Sequence, residues 1–148
     1  MSLLDRDLLN DIELARETLN SSDYSIVVVR YGKIILKKKG NGIRPILETI
    51  EELKDDLKDT VIGDRILGKA SALMLRYSKV KAAYSPQATK TAIALLIMGG
   101  IPCQVDELVP FIQNRSKDGM CPFEKMLKDI DSPEEAYDIL MEKVLNKK

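Results

Sequence analysis

Short apolar stretches of strand character alternate with helical segments through the middle of the chain, and this alternation limits the available folds more than any other feature. Thr60-Val61-Ile62 reads as a strand, Asp64 to Tyr77 as a strongly apolar helix, and Val80 to Tyr84 as a second strand. Pro86 then opens a helix that stops at Gly99-Gly100, a paired-glycine ending, and Ile101 to Val105 reads as a further strand. A helix between two strands carries the chain back along the sheet, so consecutive strands lie parallel. The pattern therefore predicts a parallel region with helices on both faces.

The N-terminal part departs from that rhythm. Residues 3–20 place Leu4, Leu8, Ile12, Ala15 and Leu19 at helical spacing and end in Asn20-Ser21-Ser22, which favours leaving a helix. Tyr24 to Arg30 is a β-branched run, Tyr31-Gly32-Lys33 a turn and Ile34-Ile35-Leu36 its return, so a hairpin is expected and the sheet becomes mixed. Lys37-Lys38-Lys39 reads as a solvated strand end. Pro45 suits the first turn of a helix reaching Lys58, with Ile46, Ile50, Leu53 and Leu57 on one face. Two more helices are expected, opened by Pro122 and by Ser132-Pro133. The expected architecture is a three-layer α/β/α sandwich with a mixed sheet and an N-terminal hairpin. It forms one domain over residues 1–148, a length at which roughly 68–70% of the unfolded surface is buried on folding.

Composition narrows the function classes. Lys plus Arg and Asp plus Glu number 23 each, so no overall field draws the chain to nucleic acid or to an anionic membrane. The apolar run Thr91 to Ile101 falls well short of the roughly 20 residues that span a bilayer, and charges interrupt the N-terminus early. The reading is a soluble cytoplasmic protein. It has no histidine and only two cysteines, Cys103 and Cys121, which are far apart, so ordinary protein-bound zinc chemistry lacks ligands. No metal and no cofactor is expected.

Four places remain as candidates. Gly63-Asp-Arg-Ile-Leu-Gly68-Lys69-Ala70 follows the phosphate-cradling P-loop pattern up to its last position, where Ala70 stands in place of the magnesium-binding hydroxyl. Lys69 shares an apolar helix face with Ile66 and Leu73. Either its stem packs while the ammonium reaches water, or it is a partly buried cation for an anion or a base. Asp64 is its partner or a helix N-cap. Ser85, before Pro86, reads as an N-cap or as a ligand contact at a strand-to-helix turn.

The polar stretch Asn114-Arg115-Ser116 leads into Cys121-Pro122-Phe123-Glu124. Cys121 falls at an N-cap, Pro122 at the first helical position and Glu124 at the third. A helix start and Arg115 favour a thiolate at Cys121, while Glu124 opposes it. The competing reading is an inert packing cysteine.

Taken together, Asp64, Gly68-Lys69-Ala70, Tyr84-Ser85, Asn114-Arg115 and Cys121-Pro122-Phe123-Glu124 resemble an uncharacterised prokaryotic family, a domain of unknown function. That family is similar in fold to cytidine deaminase: a helix, a hairpin, then two strand–helix units whose helix starts face each other. Zinc deaminases carry His-x-Glu on one start and Pro-Cys-x-x-Cys on the other. The corresponding places here are Gly68-Lys69-Ala70 and Ser85-Pro86-Gln87-Ala88, which hold no metal ligand and no glutamate. The resemblance implies a zinc-less deaminase-like domain with a pocket at those two starts. Asp64, Lys69 and Ser85 would line it and Asn114, Arg115, Cys121 and Glu124 would close it, for a small anionic or nucleotide-like ligand. Two alternatives stand beside this reading: an enzyme using the Cys121 thiol, and a homodimeric interaction module that pairs its Ile- and Met-rich helix faces.

Overall fold

The computed structural model describes residues 3–112 and 121–146. Helix α1 (Leu3–Asn20) leads into the hairpin β1 (Ile26–Arg30) and β2 (Lys33–Lys38), followed by α2 (Arg44–Leu53) and a 3₁₀ segment, Lys54–Asp59. Strands β3 (Val61–Asp64) and β4 (Ile66–Leu67) come next, then α3 (Lys69–Ser78), β5 (Ala82–Ala88), α4 (Lys90–Met98) and β6 (Cys103–Leu108). Beyond residue 120 lie α5 (Pro122–Met126) and α6 (Pro133–Leu145). No helix among the described residues is long and apolar enough to cross a membrane.

The sheet is mixed, as the hairpin and the crossovers together require. β1 pairs antiparallel with both β2 and β3, whereas β3, β4 and β6 all pair parallel with β5. β3 is registered on residues 82–84 of β5 and β4 on residues 87–88, so β4 prolongs the line of β3 along the same strand. Tyr31 and Gly32 both adopt positive φ at the hairpin tip, the backbone twist that two-residue turns between antiparallel strands favour.

Strand alternation divides the core into two layers. Val27, Val29, Val61, Ala82 and Tyr84 pack with Ile12, Ala15 and Leu19 of α1 on one face. Ile26, Val28, Ile62 and Ala83 point the other way into a larger core built with α2, α3, α4 and α6. Gly63 lies under α1, where a Cβ would come 2.8 Å from Leu19 Cδ1. Its lack of a side chain is what lets that helix settle on the sheet.

Three helix boundaries differ by several residues from the sequence expectation, each for a local reason. The helix expected from Asp64 begins only at Lys69. Arg65 diverts the chain first: its N–H donates to Ser25 O, Nε to Tyr24 O, and one terminal nitrogen to both Leu19 O and Ser22 O. Asp64 therefore ends a strand instead of capping a helix, and Ile66 belongs to β4 instead of sharing a helix face with Lys69.

The helix expected at Pro86 begins at Lys90, because β5 runs straight through Ser85-Pro86. Proline is tolerated there because Pro86 falls between the part of β5 that pairs with β3 and the part that pairs with β4, where no ladder donor is needed. Ser85 is thus a strand residue, and the cap is Thr89, whose side chain accepts from Ala92 N. Thr89→Ala is expected to cost about 1–2 kcal/mol, read as a lower urea midpoint at unchanged slope. Helix α2 also stops short, at Leu53, and the 3₁₀ segment carries buried Leu57 into the core.

Candidate functional site

The first turn of any α-helix leaves N–H groups without a partner inside the helix. At the start of α3 the N-cap is Gly68, which has no side chain to offer. The acceptor comes from far along the chain. Glu124 of α5 places one carboxylate across the turn, Oε1 accepting from Lys69 N at 2.7 Å and Oε2 from Ala70 N at 2.8 Å. One negative charge therefore sits on the positive end of the helix dipole.

Gly68 makes that approach possible. Its φ of −107° and ψ of −167° suit any residue, but a Cβ would overlap both Glu124 Oε1 and Ile112 Cγ1. Space, not backbone freedom, requires glycine at this position.

Asp64 lies beside the same turn. It is buried, its carboxyl is hydrogen-bonded to the side chain of Ser71 in the first turn of α3 and to the backbone of Ile66, and its Oδ2 has no hydrogen-bond partner. Burial pushes its pKa up to about 7; the bonds to Ser71 and Ile66 pull against that rise, and the nearby charge of Glu124 adds to it.

The folded chain therefore holds a proton on Asp64 that the unfolded chain releases near pH 3.8, and folding stability falls as pH rises from about 4 to about 7. Asp64→Asn is expected to flatten that part of the stability–pH curve. Urea unfolding at pH 4.5, 6 and 8 checks it; equal slopes in the two proteins would remove Asp64 as the cause.

The other predicted residues divide clearly. Lys69 opens α3, but its ammonium points away from the helix start. It donates to Lys128 O at 2.9 Å and pairs with Asp131 at 3.0 Å, with the lysine side chain 13% exposed and the aspartate 82%. A pair so open on one side contributes little, so Asp131→Asn is expected to change stability by less than about 1 kcal/mol in chemical denaturation. Ser85 is fully buried, and its hydroxyl donates to Gln87 O and accepts from Gln87 N, a closed local turn.

Cys121 is the half-buried N-cap of α5, with Pro122 first and Glu124 third in the helix; its N–H donates to Ile112 O at 2.7 Å. Asn114 and Arg115 lie outside the described residues. Asp64, Lys69 N and Glu124 thus converge on one helix start, while Ser85 and the Lys69 ammonium are spoken for elsewhere. Among the described residues no three Cys, Asp or Glu side chains gather to hold a metal ion.

Sequence reasoning missed Ser71 and Ile112, named Gly68 only within a phosphate-loop pattern, and expected Glu124 to oppose a Cys121 thiolate and to close a pocket, not to cap α3. One signal was present: a helix start reading Gly-Lys-Ala-Ser lacks a strong capping side chain, so an outside acceptor is needed.

The P-loop likeness also resolves. Gly63 admits α1, Gly68 admits Glu124, and Lys69 binds the chain after α5. Elsewhere, a cleft of about 600 Å³ lies beside the stacked Tyr77 and Tyr137 rings, whose centroids are 4.0 Å apart. Lys54, Lys58 and Lys79 line it together with Glu51, Asp55 and Glu134, so it offers an anion no net attraction.

A family model described as TM1506, domain of unknown function (DUF1893), matches residues 14–144. The crystal structure of a DUF1893 family protein (TM1506) from Thermotoga maritima is similar over 90% of each chain, with a TM-score of 0.83 and 29% identity. No curated protein matches the chain.

Proposed function

This chain belongs to the DUF1893 family, and from that premise we propose that it is a ligand-binding α/β domain whose site is the start of α3. The ligand class is small and anionic, nucleotide-like molecules included. One observation carries the reading: the helix start already holds a carboxylate on two backbone N–H groups, beside a buried carboxyl oxygen of Asp64 with no partner. Helix starts next to the carboxyl ends of parallel strands are where open α/β sheets bind ligands, because N–H groups and dipole converge there.

The deaminase likeness belongs to the same proposal. An opening helix and hairpin followed by strand–helix units on a mixed sheet support it, and on that likeness the start of α3 stands where a deaminase carries half of its zinc site.

The test is a titration followed at the Lys69 and Ala70 amides by ¹⁵N NMR, using acetate, methyl phosphate and a nucleoside monophosphate. Saturable shifts of those two amides with at least one anion are expected. If none moves them, in the native chain or in a Glu124→Ala variant, the reading falls.

A second reading, a self-associating module, is favoured by Ile97 and Met98, which are 65% and 73% exposed at the end of α4. Light scattering at high concentration tests it, a monomer counting against it. The thiol-enzyme alternative rests on Cys121, the N-cap of α5. A thiol titrating near its ordinary value in alkylation kinetics would end the thiol-enzyme alternative.

A further inference from the structure

We infer that Glu124 is an internal occupant of this site, and that the ligand is a small monocarboxylate whose carboxylate exchanges with that of Glu124 on the Lys69 and Ala70 N–H groups. This rests on the binding reading above and narrows its ligand class.

The geometry fits a carboxylate closely. Each oxygen of Glu124 receives one N–H, at 2.7 and 2.8 Å, so two parallel donors meet two coplanar acceptors. Gly68 clears the space directly above them. The occupant is tethered through a half-buried side chain on a five-residue helix, so the place can be vacated without unpacking the main core.

Charge sets the ligand class. The helix start offers about half a positive charge, and one carboxylate roughly matches it. Exchange for another carboxylate leaves the local charge unchanged, whereas a phosphate monoester brings about 1.5 to 2 negative charges at pH 7. The cation that opens this helix does not offset the excess, because the Lys69 ammonium is held on Lys128 O and Asp131.

Asp64 also gives the exchange a purpose. Its Oδ2 is buried and unpartnered although Glu124 is close enough to act on its charge. As the acid it carries an O–H donor. An incoming carboxylate not bound by the tether of Glu124 can accept from it as well as from the two amides, which a free ligand needs in order to displace a group already in place.

The experiment compares the native chain, Glu124→Ala and Glu124→Gln, each titrated at pH 7 with acetate and with methyl phosphate and read at the Lys69 and Ala70 amides. Glu124→Ala removes a methylene and a carboxylate, so acetate has the size of the missing group. Acetate is expected to bind Glu124→Ala at least tenfold more tightly than the native chain, and at least tenfold more tightly than methyl phosphate does.

If Glu124→Ala does not fold, Glu124→Gln serves, since an amide satisfies only one of the two N–H groups; acetate should then bind several-fold more tightly than to the native chain. Equal acetate affinity in native and variant chains overturns the inference, because Glu124 would not be competing. Methyl phosphate binding as well as acetate overturns it too, while leaving anion binding at α3 intact. Absence of binding by every anion in every chain brings down both.

Discussion

Gly68→Ala is expected to destabilise the fold by about 1–3 kcal/mol, the cost of overpacking the turn against Glu124 and Ile112. The sign is the informative part. At φ −107°, ψ −167° alanine is conformationally acceptable, and a glycine-to-alanine change at such a position ordinarily stabilises by about 0.4–1 kcal/mol through the unfolded chain. Here the new Cβ meets Glu124 Oε1 and Ile112 Cγ1, and the carboxylate cannot retreat without giving up its bonds to Lys69 N and Ala70 N. Urea unfolding measures the effect, and an unchanged or raised midpoint would show that the clamp is loose. The same substitution in a Glu124→Ala background should cost at least 1 kcal/mol less, because half of the clash is gone; additive costs would mean that the two residues do not share a site.

Glu124→Ala is expected to cost about 3 kcal/mol. Two charge-assisted hydrogen bonds contribute about 1.5–3 kcal/mol each, and water reaching the half-exposed site recovers part of that loss. Hydrogen exchange should localise the damage: the Lys69 and Ala70 amides lose protection, while those of buried β1 and β3 keep theirs. A loss below about 0.5 kcal/mol would mean that the helix start is as well served by water as by the carboxylate. That same outcome would make the site easier to open, so the stability and binding experiments constrain each other.

Much of the scaffold was legible because long elements carry a period. Leu8, Ile12, Ala15 and Leu19 announce α1, the β-branched run after Tyr24 announces β1, and Ser132-Pro133 marks the start of α6, where Ser132 Oγ accepts from Glu135 N. Short apolar runs carry no such signal. Ile66-Leu67 fits a buried helix turn as well as a strand, and the residue that decides between them is Arg65, through carbonyls of Leu19, Ser22 and Tyr24. Pro86 likewise reads as a helix opener until the pairing of β5 shows a gap with no donor demanded at that point.

The candidate site divides in the same way. By itself the sequence determined that histidines are absent and that strands and helices alternate into a mixed sheet under helices. It also determined the need: a helix start without a strong capping side chain must find an acceptor. Only the tertiary structure decided which group answers that need. A carboxylate 55 positions away in sequence reached Lys69 N, and the Lys69 ammonium turned to the carbonyl of Lys128 and to Asp131. The physical reason is that orphaned N–H groups accept any suitably placed oxygen, so their partner is set by what the folded chain brings within 3 Å and not by what stands next to them in sequence.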